Sequence, residues 1–204
     1  MKATNEALIV VDMQKDFMDD GALPVRGAYE IIGTINEWMD RFDLVLATQD
    51  WHPTNHGSFA SNHEGASPGE IRQLAGLDQI MWPDHCVQHT DGAEFVEGLN
   101  TEQFTEIFQK GRDPEVDSYS GFYDNAHRNS TGLASYLKGK KIDAVYICGV
   151  ATDYCVKFTV LDALQEGFET FLIRTATAGV NQNPGDVEKA IEAMNSAGAQ
   201  IVDS

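Results

Sequence analysis

The sequence is short of positive charge, of cysteine and of long apolar runs, and each shortage excludes something. Only 14 lysines and arginines stand against 32 aspartates and glutamates, for a formal charge of −18. A surface of that sign repels phosphate backbones and anionic headgroups, so nucleic acid or membrane binding would require a local basic patch. The basic residues are scattered apart from Lys138, Lys140 and Lys141, which read as a solvated helix end complementing the macrodipole. The apolar run Ala7–Val11 stops at Asp12, too short for a signal-peptide core or a membrane span. Three cysteines, Cys86, Cys148 and Cys155, make an odd number for a disulfide framework. A reducing compartment, the cytoplasm, is therefore expected, where a special cysteine is catalytic or metal-binding. No GxGxxG or phosphate-binding loop occurs, which argues against a nucleotide cofactor. Monomer and homo-oligomer stay equally open.

What is present is alternation. Candidate strands lie at Ala7–Asp12, Leu44–Asp50, Phe104–Lys110, Ala144–Val150, Glu169–Thr175 and Ala199–Val202. Several are nearly continuous Val, Ile and Leu, as parallel strands buried on both faces require. Helical patterns fall between them, at about 28–41, 130–137, 153–166 and 185–197, with Pro184 expected in the first turn of the last. The order predicts one α/β domain over 1–204, a doubly wound, mostly parallel six-stranded sheet with helices on both faces. One segment breaks the rhythm: residues 51–103 hold three of the six prolines and five of the six histidines, with little periodicity. So long an irregular insert points to function, and its histidines suggest metal binding.

Doubly wound sheets build their sites beyond the carboxyl ends of the strands. The first four candidate strands end at Asp12, Asp50, Lys110 and the turn leading to Cys155, each a residue with chemistry. Thr152 or Asp153 is a suitable N-cap, which places Cys155 in the first turn of a helix. There the free N–H groups and the dipole would lower its thiol pKa and could receive an oxyanion. Asp12 as base and Lys110 as charge-stabilising partner would complete a cysteine triad; the alternative is an Asp–Lys ion pair that merely joins strand ends. Cys148, inside a strand, reads as core, and Cys86 as structural.

Asp50 and His52 share one face at a strand end, and His85 lies in the insert. One carboxylate and two imidazoles suit a single divalent ion, Zn2+, Fe2+ or Mn2+, with positions left for water or substrate. The same set could hold oxygenase iron, a reading that leaves Cys155 and Lys110 unexplained. His63 and His89 read as solvated, and His127 has no evident partner.

The ordered strings Val11-Asp12-Met13-Gln14-Lys15-Asp16-Phe17, Asp50-Trp51-His52-Pro53-Thr54-Asn55-His56-Gly57-Ser58-Phe59 and Trp82-Pro83-Asp84-His85-Cys86 carry a resemblance. Lys110-Gly111, Asp117-Ser118-Tyr119-Ser120-Gly121-Phe122 and Gly149-Val150-Ala151-Thr152-Asp153-Tyr154-Cys155-Val156 continue it nearly end to end. The combination resembles the nicotinamidases of the isochorismatase-like cysteine hydrolase superfamily. The resemblance implies Asp12, Lys110 and Cys155 as catalytic triad, and Asp50, His52 and His85 as metal ligands with Ser58 reaching the ion through water. It also implies a cis Val150–Ala151 peptide, an oxyanion site at the Ala151 and Cys155 N–H groups, and a cleft walled by Phe17, Leu23, Trp82, Tyr119 and Tyr154. The expected reaction is nicotinamide, or pyrazinamide, to the acid and ammonia through a Cys155 thioester, in NAD salvage. Another small amide in the same superfamily is the alternative substrate.

Overall fold

A computed structural model describes residues 5–203; the outermost residues of the expected 1–204 domain lie outside that range. The main sheet comprises β1 (Glu6–Val11), β2 (Val45–Asp50), β5 (Glu106–Lys110), β6 (Ala144–Val150), β7 (Glu169–Ala178) and β8 (Gln200–Val202). They pair in the order β5-β2-β1-β6-β7-β8, every pair parallel. Chain order runs outward in both directions from β1 and β6, so the topological switch point lies between them. Asp12 follows the first of these strands, and the turn to Cys155 follows the second.

Alternation along β1 explains the layers. Leu8 and Val10 pack on one face with Ile35, Trp38 and Met39 of α1 (Ile32–Met39). Ala7, Ile9 and Val11 pack on the other against Leu133 and Leu137 of α2 (Leu133–Gly139), Val160 of α3 (Lys157–Gln165) and Met194 of α4 (Asp186–Ala197). All five of these β1 side chains are fully buried, which is why the strand reads as an unbroken apolar run. Among the described residues no helix is long and apolar enough to cross a membrane.

The helices are shorter than the periodicity suggests, and glycine explains two of the differences. Gly132 (φ 94°) and Gly185 (φ 90°) take the left-handed conformation at the N-caps of α2 and α4, so neither helix extends upstream. Pro184 therefore precedes the cap of α4 instead of sitting in its first turn. Residues 28–31 form a 3-10 turn ahead of α1. The irregular insert contains an antiparallel hairpin the sequence did not announce, β3 (Ile71–Leu74) and β4 (Leu77–Ile80). Its turn residues Ala75 and Gly76 both have positive φ, 53° and 80°, and alanine in place of the usual asparagine hides that turn.

At the switch point the strands approach closely. Gly149 has φ 106°, and a Cβ there would stand 2.1 Å from the carbonyl oxygen of Val11. Gly149→Ala is expected to cost about 3 kcal/mol or more through backbone strain and a backbone clash. Urea unfolding measures this; a loss below 1 kcal/mol would mean that β1 and β6 can separate freely at this end.

Candidate active site

Lys110 ends the edge strand β5, where a lysine ordinarily points to water. Here its side chain is fully buried and reaches across β2 toward β1. The ammonium stands 2.8 Å from Asp12 Oδ2 and 2.9 Å from Asp50 Oδ1. It donates to the Ser118 carbonyl at 2.9 Å and approaches Cys155 Sγ at 3.4 Å. Burial opposes its charge, but Asp12 and Asp50 outweigh that and hold it protonated well above the usual lysine range.

Asp12 sits just past β1 with φ 49°, its backbone N–H bonded to Thr48. The Thr48 hydroxyl donates to Asp12 Oδ1 at 2.6 Å. Oδ2 has no directional hydrogen bond and is left beside Lys110 and the thiol. Complete burial raises this carboxyl, and Lys110 pulls it only part of the way back. The group is thus a stronger base than an ordinary aspartate.

Cys155 is brought to the same place by an unusual turn. Residues Thr152–Val156 form a π-helical turn that runs directly into α3, and the Ala151 carbonyl accepts both the Tyr154 and Val156 N–H groups. Neither expected cap operates. Thr152 Oγ1 has no partner, and the Asp153 carboxylate instead accepts the N–H groups of Val180 (2.9 Å) and Asn181 (2.7 Å). The expected lowering of the thiol pKa is also reversed. Burial pushes the Cys155 thiol well above its ordinary value, Lys110 draws it down in part, and the Asp12 and Asp50 charges add to the rise. The Cys155 thiol and the Asp12 carboxylate, both raised by burial, thus stand in one cluster. The Val150–Ala151 peptide is cis, as the resemblance implies.

Asp50, His52 and His85 are all buried, with ligand atoms within 4.8 Å of one another. His52 Nδ1 lies 2.9 Å from the Gly111 carbonyl and His85 Nδ1 2.7 Å from the Pro83 carbonyl. A carbonyl only accepts, so each Nδ1 carries a proton and each Nε2 is the ring atom turned toward Asp50. Those Nε2 atoms lie 3.3 and 3.7 Å from Asp50 Oδ2. Burial raises the Asp50 carboxyl, but His52 and Lys110 more than offset this and leave it well below the carboxylate range. An ionised carboxylate and two oriented imidazoles fit a divalent cation.

Ser58 is buried beside His56. Its hydroxyl lies 2.7 Å from His56 Nδ1, which its own N–H also contacts. Burial and His52 lower the His56 imidazole to about 4, so it is neutral. Two other histidines differ from expectation: His63 is bonded to the Gly57 carbonyl at 2.7 Å. His127 pairs with Asp162 at 3.4 Å while stacking on Tyr123. Cys86 and Cys148 are fully buried, their thiols pushed up by burial as core cysteines.

Phe17, Leu23, Trp82, Tyr119 and Tyr154 line one cleft together with Asp50, His85, Ala151 and Cys155. All five expected wall residues are therefore in place. Asp117 and Val180 line it too and were not foreseen. Asp117 lies within a quoted string, yet spacing gives an acidic residue there no role; Val180 depends on the Asp153 contact, which only the fold reveals.

An isochorismatase-domain model matches residues 6–204. The chain belongs to the isochorismatase family. Within that family it is similar to the nicotinamidase of Escherichia coli K12, 46% identical over 199 residues covering 96% of this chain and 93% of the relative. A solved nicotinamidase and pyrazinamidase from Acinetobacter baumanii superposes with a TM-score of 0.96 at 43% identity, covering 100% of this chain and 98% of that one. The pyrazinamidase of Pyrococcus horikoshii, solved in complex with zinc, superposes with a TM-score of 0.81 at 45% identity, covering 98% and 99%.

Two outcomes follow from the buried charges. Lys110→Met would leave two carboxylates uncompensated and is expected to cost about 3–5 kcal/mol, read by denaturant unfolding. A neutral effect would mean that Asp12 and Asp50 do not depend on the ammonium. Iodoacetamide should modify Cys155 before Cys86 or Cys148, because only Cys155 lines the cleft. With its thiol held above the ordinary value of 9.0, the rate should keep climbing past pH 9.0. A plateau at neutral pH would contradict the raised thiol.

Proposed function

We propose that this chain hydrolyses nicotinamide to nicotinate and ammonia, and pyrazinamide likewise, with Cys155 as nucleophile. The observation that carries the reading is the position of one ammonium, Lys110 Nζ, against Asp12, Asp50 and Cys155 at 2.8, 2.9 and 3.4 Å. It joins a base, a metal-ligand carboxylate and a thiol in one buried cluster. Similarity to nicotinamidases over nearly the whole chain supports the choice of substrate.

The cleft takes the flat ring between Phe17 and Trp82, with the carboxamide over Cys155. Asp12 Oδ2 removes the thiol proton as sulfur attacks the carboxamide carbon. The Ala151 and Cys155 N–H groups receive the oxyanion. Asp12 then gives its proton to the leaving nitrogen, ammonia departs and a thioester remains. In the second half Asp12 takes a proton from water as its oxygen adds to the thioester, then returns that proton to the departing sulfur, while nicotinic acid leaves and ionises to nicotinate. Lys110 stays charged throughout and keeps Asp12 aimed at the sulfur. Asp50, His52 and His85 would hold the ion, zinc or iron(II), which when bound supplies a Lewis-acid position for the pyridine nitrogen. The three reduced cysteines suit a cytoplasmic setting, and residues 1–204 act as one domain.

Cys155→Ala should lower ammonia release from nicotinamide by about 1,000-fold or more while metal content stays normal. Substantial residual turnover would remove the covalent step. His52→Ala should lose bound metal, measured by elemental analysis, and raise KM for nicotinamide; unchanged metal content would separate His52 from the ion.

A further inference from the structure

The β3–β4 hairpin is mostly solvent-facing, with Ile71 66% exposed and Leu77 38% exposed. Its one buried side chain is Gln79, at 3% exposure. A hairpin that only needed anchoring would bury an apolar residue, since an amide costs free energy to bury unless its hydrogen bonds are met. Gln79 meets them at the wall of the cleft. Its Nε2 lies 2.9 Å from Asp117 Oδ2, 3.1 Å from the Tyr119 hydroxyl and 2.8 Å from the Ile80 carbonyl, its two N–H groups shared among the three acceptors. The same Tyr119 oxygen accepts the Trp82 indole N–H at 3.1 Å. Asp117, Tyr119 and Trp82 all line the cleft that holds Cys155.

We infer that Gln79 is a positioning residue for the ring-binding wall: its amide ties Tyr119, and through that hydroxyl Trp82, to the Asp117 carboxylate. The chain of bonds is directional. The Tyr119 oxygen accepts from both Gln79 and Trp82, so its orientation and that of the indole are fixed from one side only. Asp117 Oδ1 is engaged by the Ser118 N–H at 2.8 Å, which leaves Oδ2 to Gln79. Through this bridge the hairpin sets the spacing of a slot for a flat heteroaromatic ring. Gln79 touches neither Cys155 nor Asp12, so it should govern ring binding and not bond cleavage.

The inference rests on the amide-hydrolase reading, and two measurements separate them. Ammonia release by the unaltered, metal-loaded chain tests the reading. Nicotinate affinity, measured by calorimetry, tests Gln79 whether or not turnover occurs. Gln79→Met, of similar shape but without the amide, should weaken nicotinate binding and raise KM for nicotinamide by about tenfold, with kcat within about twofold. Tyr119→Phe should do the same, and the double variant should be no worse than the poorer single one, because both act through one hydroxyl. Arg72→Gln, a change on the same hairpin that removes the guanidinium contacts with the Glu64 carbonyl and the Glu70 carboxylate, should leave nicotinate affinity unchanged. If Gln79→Met does not fold, Gln79→Glu, which cannot donate when ionised, must show the same weakening. Unchanged affinity in both Gln79 variants, additive effects with Tyr119→Phe, an equal fall in kcat, or a matching loss in Arg72→Gln would each overturn the assignment.

Discussion

The site depends on one buried positive charge. Lys110 is fully enclosed, and an ammonium without partners there would be expelled or neutralised. It persists because Asp12 and Asp50 stand within 2.9 Å of its nitrogen. The dependence is mutual: without the lysine, two carboxylates would share a dry space and repel each other. Parallel pairing sets this geometry, with Asp50 directly opposite Lys110 in the β2–β5 register. Asp12 and Asp50, the proposed base and the proposed metal ligand, are therefore two ends of one ion cluster, and neither can be altered without affecting the other.

In the proposed mechanism, that coupling lets a buried, reluctant thiol act as the nucleophile. Burial makes the free thiolate costly and raises the Cys155 pKa. Burial also raises the proton affinity of Asp12, which brings base and thiol closer to a match. The proton then moves over a short distance within a cluster whose total charge does not change.

Much of this was legible in the sequence because strand ends in a doubly wound sheet have only one place to go. Asp12, Asp50 and Lys110 could be gathered from the ends of candidate strands, and His52 and His85 from a histidine-rich insert. What sequence could not supply was anything created by long-range contact. Asp153 looks like a helix cap and is instead a clamp on the loop carrying Val180, because the turn before α3 is π-helical and needs no side-chain cap. A helix terminus predicts a lowered Cys155 pKa, whereas burial raises it. Gln79 had no signal at all: a glutamine in a short, weakly alternating strand reads as surface until the fold turns it toward Asp117 and Tyr119.

The central claim is that the acyl group passes through the Cys155 sulfur. Partitioning with hydroxylamine tests it most directly, using nicotinamide and methyl nicotinate as donors to the same metal-loaded chain. A shared thioester predicts one ratio of nicotinohydroxamate to nicotinate from both donors, since the leaving group has gone before the partition. Ratios that differ between the amide and the ester would mean that water attacks each substrate directly, and would contradict the account.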